Sequence, residues 1–130
     1  MTKSDTSNSD NSTKTRARRK AQRLGHRGET LAVWALRLKG YRIAERRYRT
    51  KLGEIDIIAR KKDLVAIIEV KARNTVEDAV NAVGIQSQKR ITNAAIIWLA
   101  RQADYANLSL RFDIIAIVPG RWPHHIENAW

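Results

Sequence analysis

Three residues within "GEIDIIARKKDLVAIIEVKAR", Gly53 to Arg73, have types and spacing that could do chemistry together: Asp56, Glu69 and Lys71. The stretch reads as two strands rich in β-branched residues, joined by a polar turn at Lys62-Asp63. A two-residue loop there sets Asp56 across from Glu69 and Glu54 across from Lys71. Strand side chains alternate faces, so Asp56 shares a face with Glu54 and Ile58, and Glu69 shares one with Val65, Ile67 and Lys71. Directly opposed like charges destabilise a sheet. At a separation of ~5 Å and an effective dielectric of ~20, the repulsion is on the order of 3 kcal/mol. A shared proton, Lys71 alone or a divalent cation would each offset it. Carboxylate oxygens are hard ligands suited to Mg2+ or Mn2+, and such ions serve phosphate chemistry. Lys71 could then stabilise a phosphorane-like transition state or orient the attacking water.

These residues need a sheet and helices to hold them. Residues 1–15 are a polar tract with almost no apolar content, expected to form a disordered tail. A single domain over 16–130 follows. Its first helix is clearest from Lys20 to Lys39, with Leu24, Leu31, Trp34, Ala35 and Leu38 on one face and Gly40 as its stop. Glu29 lies at the flank of that helix's wide apolar arc, beside Gly25, Ala32, Val33 and Leu36. "YRIAERRYR", "EIDIIAR" and "LVAIIEVKA" are three strands, and residues 74–86 a polar connection with some helical character. "SQKRITNAAIIWLARQAD" is a second helix, with Ser87 as its N-cap and Ile91, Ala94, Ala95, Trp98 and Leu99 inward. "LSLRFDIIAIV" is a fourth strand, and "RWPHHIENAW" a short tail. The order αβββαβ describes a mixed α/β fold, a central mixed sheet flanked by helices.

Charge points to the partner. Residues 1–51 hold 15 Lys/Arg against 4 Asp/Glu, whereas residues 52–130 hold 10 against 9. The basic half is expected to face an anion, and nucleic acid fits best, because Lys and Arg release counterions from phosphates. An anionic membrane surface fits less well, since the first helix lacks interfacial character. No apolar run approaches the ~18 residues that cross a bilayer. "MTKSDTSNSDNSTKT" has no apolar core of a signal peptide, so a cytoplasmic protein is expected. The chain has no cysteine, which excludes disulfides, thiol catalysis and thiolate metal sites.

The pattern "GEID…EVK" resembles the PD-(D/E)XK, or restriction-endonuclease-like, nuclease superfamily. The pieces "GETLAVWALRLKGYRIAERRYRTKLGEIDIIAR", "IIEVKAR", "QKRITNAAIIWLA", "RFDIIAI" and "IENAW" resemble more closely the YraN-like family of small bacterial proteins. That likeness covers roughly residues 24–130 and is itself similar to archaeal Holliday junction resolvases. It implies a restriction-endonuclease-like core and a metal-dependent endonuclease acting on DNA, including branched or structured DNA. It implies Asp56 and Glu69 as ligands of Mg2+ or Mn2+, Lys71 as the catalytic lysine and Glu29 as a further acid at the metal. Gln86 and Lys89 correspond to polar additions at the second helix, and Glu54 is an accessory candidate. Ile55 stands where the motif often has proline. A junction resolvase needs paired active sites and hence a homodimer. The alternative is a module of the same fold that binds nucleic acid without cutting it.

Arg19, Lys20, Arg23, Arg27, Arg46, Arg47, Arg49, Lys51 and Lys89 are the residues expected to track phosphates. Asp113, which interrupts an apolar strand two residues from Arg111, reads as a structural ion pair. His124 and His125 read as surface residues, and Trp34 and Trp98 as core. Trp122 and Trp130 could pack back on the sheet or reach a partner.

Overall fold

The computed structural model of the protein describes residues 15–16 and 27–130. The polar tract before Thr15, and Lys20 and Leu24, expected on the first helix, lie outside the described residues. The order is α1 (27–38), β1 (Arg42–Arg49), β2 (Glu54–Lys61), β3 (Leu64–Ala72), α2 (Val76–Asn81), α3 (Ile85–Ala100), β4 (Ser109–Ile117) and β5 (His124–Ile126). A short 3-10 turn, Tyr105–Asn107, precedes β4. The fold is mixed α/β. The five strands among the described residues lie side by side in chain order, with β3–β4 parallel and the other neighbouring pairs antiparallel. A parallel pair cannot be closed by a hairpin, so α2 and α3 make the crossover.

Alternation along the strands builds two cores. Ile58, Val65, Ile67 and Ile114 face α3, which returns Ile91, Ala94, Ala95 and Trp98. Ile57, Ala59, Ala66, Ile68 and Ile115 face α1, which returns Ala32, Val33 and Leu36. The inward face of α3 is the one its periodicity indicates. Its start differs, because Gly84 is the N-cap and Ser87 lies inside the helix.

The α1 face is rotated from expectation. The Ala32–Val33–Leu36 side packs on the sheet, so Leu31, Trp34 and Leu38 point outward. Trp34 is 56% exposed and lies under the Arg37 guanidinium, 5.6 Å from the ring centre. Substitution Trp34→Ser is therefore expected to change stability by less than about 1 kcal/mol, measured by urea unfolding. Gly40 ends α1 at φ +92°, while Tyr41 N donates to Leu36 O at 3.0 Å.

The C-terminal segment is not a loose tail. β5 pairs antiparallel with β4, and Trp130 stacks on Phe112 with ring centres 5.5 Å apart. Buried Asp113 organises that edge. It accepts from Arg111 Nη2 at 2.7 Å and from Asn128 N at 2.9 Å, and His125 Nε2 lies 2.8 Å away. His125 thus departs from the surface reading, with a side chain only 3% exposed. His124 and Trp122 are exposed. The Asp113–Arg111 pair is present as the sequence suggests, and these bonds hold the Asp113 carboxyl down at about 2 against the cost of burial.

Candidate functional site

The β2–β3 hairpin turns at Lys62-Asp63, and its ladder runs from Lys61↔Leu64 to Ile57↔Ile68. This is the register read from the sequence. Continued by one residue, it places Asp56 opposite Glu69 on the α3 face, the face of Ile58 and Ile67. The regular ladder gives way at that level. Between β1 and β2 the pairing goes from Arg46↔Ile57 to Tyr48↔Ile55 and passes over Arg47 and Asp56. Arg47 is left-handed at φ +51°, a conformation uncommon outside glycine that recurs at functional sites. Asp56 Oδ2 instead accepts the Val70 backbone N–H at 2.8 Å. The carboxylate takes the place of a strand carbonyl, which fixes it against β3.

Glu69 and Lys71 complete the cluster. Lys71 Nζ is 3.5 Å from Glu69 Oε1, and the two side chains are 27% and 14% exposed. Burial, then repulsion from Asp56 and a hydrogen bond with it, push the Glu69 carboxyl up to about 8; Lys71 offsets this only in part. Lys71 thus relieves the opposed acids only in part, and the raised pKa favours a proton on Glu69 near neutral pH. Folding therefore raises this pKa above its ordinary value of 4.5. The stabilising contribution is complete below that value and is lost as pH climbs through about 8. Glu69→Gln should match the wild type at pH 4 and be more stable at pH 9, by on the order of 2 kcal/mol, in paired thermal melts. Equal pH dependence in the two proteins would contradict the buried-proton account.

The other expected residues distribute differently. Glu29 is turned to Arg47, whose Nε donates to its Oε2 at 2.9 Å. Among the described residues no group of three or more acids and histidines converges as a metal site, so Glu29 stands apart from the pair. Glu54 faces Arg49 at 3.3 Å rather than Lys71, because the β2–β3 ladder ends before their level. Gln86 and Lys89 are exposed on the first turns of α3, and Lys89 lines a separate groove with Ile85, Gln88 and Trp130. Arg27, Arg46, Arg47, Arg49 and Lys51 are exposed. Arg49 and Lys51 share with Arg101 a groove of about 680 Å³ between the β1–β2 turn and α3. Arg19, Lys20 and Arg23 lie outside the described residues. Two features escaped the sequence reading: the Val70 N–H that holds Asp56, and the bent β1 that carries Arg47 to Glu29. The only sequence signal for the second is a Glu flanked by arginines.

Residues 28–117 match the model of the Uncharacterised protein family UPF0102. UPF0102 protein mlr4633 of Mesorhizobium japonicum is 60% identical over 114 residues, covering 88% of this chain and 91% of the relative. A UPF0102 protein of Chelativorans sp. is also 60% identical over 114 residues, covering 88% and 92%. UPF0102 protein Atu0303 of Agrobacterium fabrum is 59% identical over 113 residues, covering 87% and 93%. No helix among the described residues is long and apolar enough to cross a membrane.

Proposed function

The chain belongs to the UPF0102 family, the YraN-like family its sequence resembles, and we propose that it is a metal-dependent endonuclease that hydrolyses phosphodiester bonds in DNA. The observation that carries the reading is the meeting of Asp56, Glu69 and Lys71 at one interruption of the sheet. Opposed, partly buried carboxylates are costly unless something positive or a proton comes between them. Asp56 and Glu69 would hold Mg2+ or Mn2+. Magnesium keeps several waters and needs only one or two carboxylates, so a two-acid set fits it. When bound, such an ion polarises a phosphoryl oxygen and lowers the pKa of its water.

The chain's own groups then have separate tasks. Val70 N–H fixes the Asp56 carboxylate, so its free oxygen keeps one direction. Glu69 gives up its proton before it can act as a ligand, which favours mildly alkaline pH. Lys71, beside Glu69, supplies a positive charge for the oxygens of the cleaved phosphate. Arg46, Arg49, Lys51 and Arg101 offer phosphate contacts along β1 and the adjacent groove. This assignment to the PD-(D/E)XK superfamily rests on the residue pattern and the cluster together.

Linear, forked and four-way DNA incubated with Mg2+ or Mn2+ test the proposal. Cleavage should require the ion and disappear with Asp56→Asn. Tight binding of all three substrates with no metal-dependent cutting would identify a binding module instead.

A further inference from the structure

We propose that the pocket at the ends of β3 and β4 receives an unpaired nucleobase of the strand being cut, which makes DNA with an unstacked nucleotide beside the cut the preferred substrate. The inference rests on the phosphodiesterase reading above. The pocket holds about 370 Å³. That is the small end of the ~300–1,000 Å³ range of small-ligand sites, enough for one base and too small for a duplex.

Leu31, Ala72, Ile117 and Pro119 give it apolar walls. Apolar walls can hold the flat face of a base that has left its stack, as in pockets that receive flipped nucleotides. Leu31 is 44% exposed, an apolar side chain turned away from both cores. Arg27 and Arg73 add positive charge to the lining, and none of the described residues that line the pocket is acidic. Arg73 Nη1 donates to Ala72 O at 2.7 Å, which steadies its planar guanidinium there. Guanidinium planes stack on unpaired bases and also bind phosphate. Asn74 adds an amide that can both donate to and accept from a base edge. An apolar slot with two cations, one of them held by a backbone carbonyl, and an amide suits a nucleotide better than a lipid or an uncharged metabolite.

Position joins the pocket to the carboxylate cluster. Ala72 directly follows Lys71 in β3, and alternation puts the two on opposite faces of the strand. Consecutive Cα atoms are about 3.8 Å apart. A strand curving around the end of β3 would therefore present one phosphate to Lys71 and a neighbouring base to the pocket. A stacked, paired base could not make that turn.

Binding is measured in EDTA, independent of cleavage, with 2-aminopurine as the reporting base. The probes are a paired duplex, the same duplex with one bulged 2-aminopurine, the same bulge made abasic, and free 2-aminopurine ribonucleoside monophosphate. Wild type should bind the bulged base about tenfold more tightly than the paired or abasic duplex, with a change in its emission. Leu31→Ser and Asn74→Ala, both at exposed positions, should shrink that preference to about twofold and leave paired-duplex affinity unchanged. Equal binding of bulged and abasic duplexes overturns the proposal, as does an undiminished preference in both variants. Free nucleotide bound as tightly as the bulged strand, or no binding of any probe, also overturns it. A preference retained by a protein that never cuts would sink the endonuclease reading and leave the pocket assignment standing.

Discussion

Lys71→Ala should lower metal-dependent DNA cleavage by about 10²–10³-fold, equivalent to roughly 3–4 kcal/mol of transition-state stabilisation. Asp56→Asn should lower it by at least as much. The two losses have different causes, and pH separates them. Lys71 is the one group that draws the Glu69 carboxyl down. Its removal leaves Glu69 more strongly protonated near pH 7, so the variant binds the ion poorly there. Raising the pH to 9 should restore ion binding in Lys71→Ala without restoring turnover, because the charge that faces the phosphate is still missing. Asp56→Asn acts oppositely on Glu69. An amide oxygen can still accept the Val70 N–H, and the repulsion that helped raise the Glu69 pKa disappears. That variant should be inactive yet at least as stable as wild type at pH 8. Loss of activity accompanied by a fall in melting temperature would point to disruption of the sheet instead.

The largest effect on stability is expected at a residue with no side chain. Gly53 is buried in the turn between β1 and β2, directly against α3. A Cβ there would lie 2.3 Å from the Arg90 backbone carbonyl oxygen and 2.7 Å from its carbon. Neither atom can rotate away, as a side chain could. The turn cannot yield either. Thr50 N and Thr50 Oγ1 both donate to Gly53 O, at 2.8 and 2.9 Å, while Gly53 N donates back to Thr50 Oγ1 at 3.0 Å. Accommodating one methyl means moving α3 and its Ile91 and Ala94 contacts off the sheet. Gly53→Ala should cost on the order of 3 kcal/mol, seen as a fall in melting temperature of about 10 °C. Because β2 begins at the next residue, Asp56 should also be displaced and cleavage impaired. Gly84→Ala is the matched control, since nothing lies within 4 Å of a Cβ there. As a change at the N-cap of α3, it should cost about 1 kcal/mol or less.

What could be read in advance follows from how local the determinants are. The hairpin register was legible because alternation and a two-residue turn both lie within Glu54–Ala72, and one residue of slip would have reversed every buried side chain. The inward face of α3 was legible for the same reason. The face of α1 was not. Its apolar arc is wide enough to offer two stripes, and the choice was made by packing against the sheet, which buries Ala32, Val33 and Leu36. β5 is three residues long, too short for a pattern, and is secured by Asp113 through a bond to Asn128 N. Glu29 was legible as an acid in need of a partner. That the partner is Arg47 depends on a left-handed residue in β1, which no spacing in "YRIAERRYR" announces.

Asp56 and Glu69 are proposed to form a cation site in which a proton on Glu69 gives way to the ion. Calorimetric titration of Mn2+ at pH 7, repeated in two buffers of different ionisation enthalpy, tests it directly. With the Glu69 carboxyl raised to about 8, wild type should release close to one proton per ion bound. Glu69→Gln should bind Mn2+ at least about tenfold more weakly and release almost none. Mn2+ binding of equal strength in both proteins, or binding by wild type with no proton released, would contradict the account.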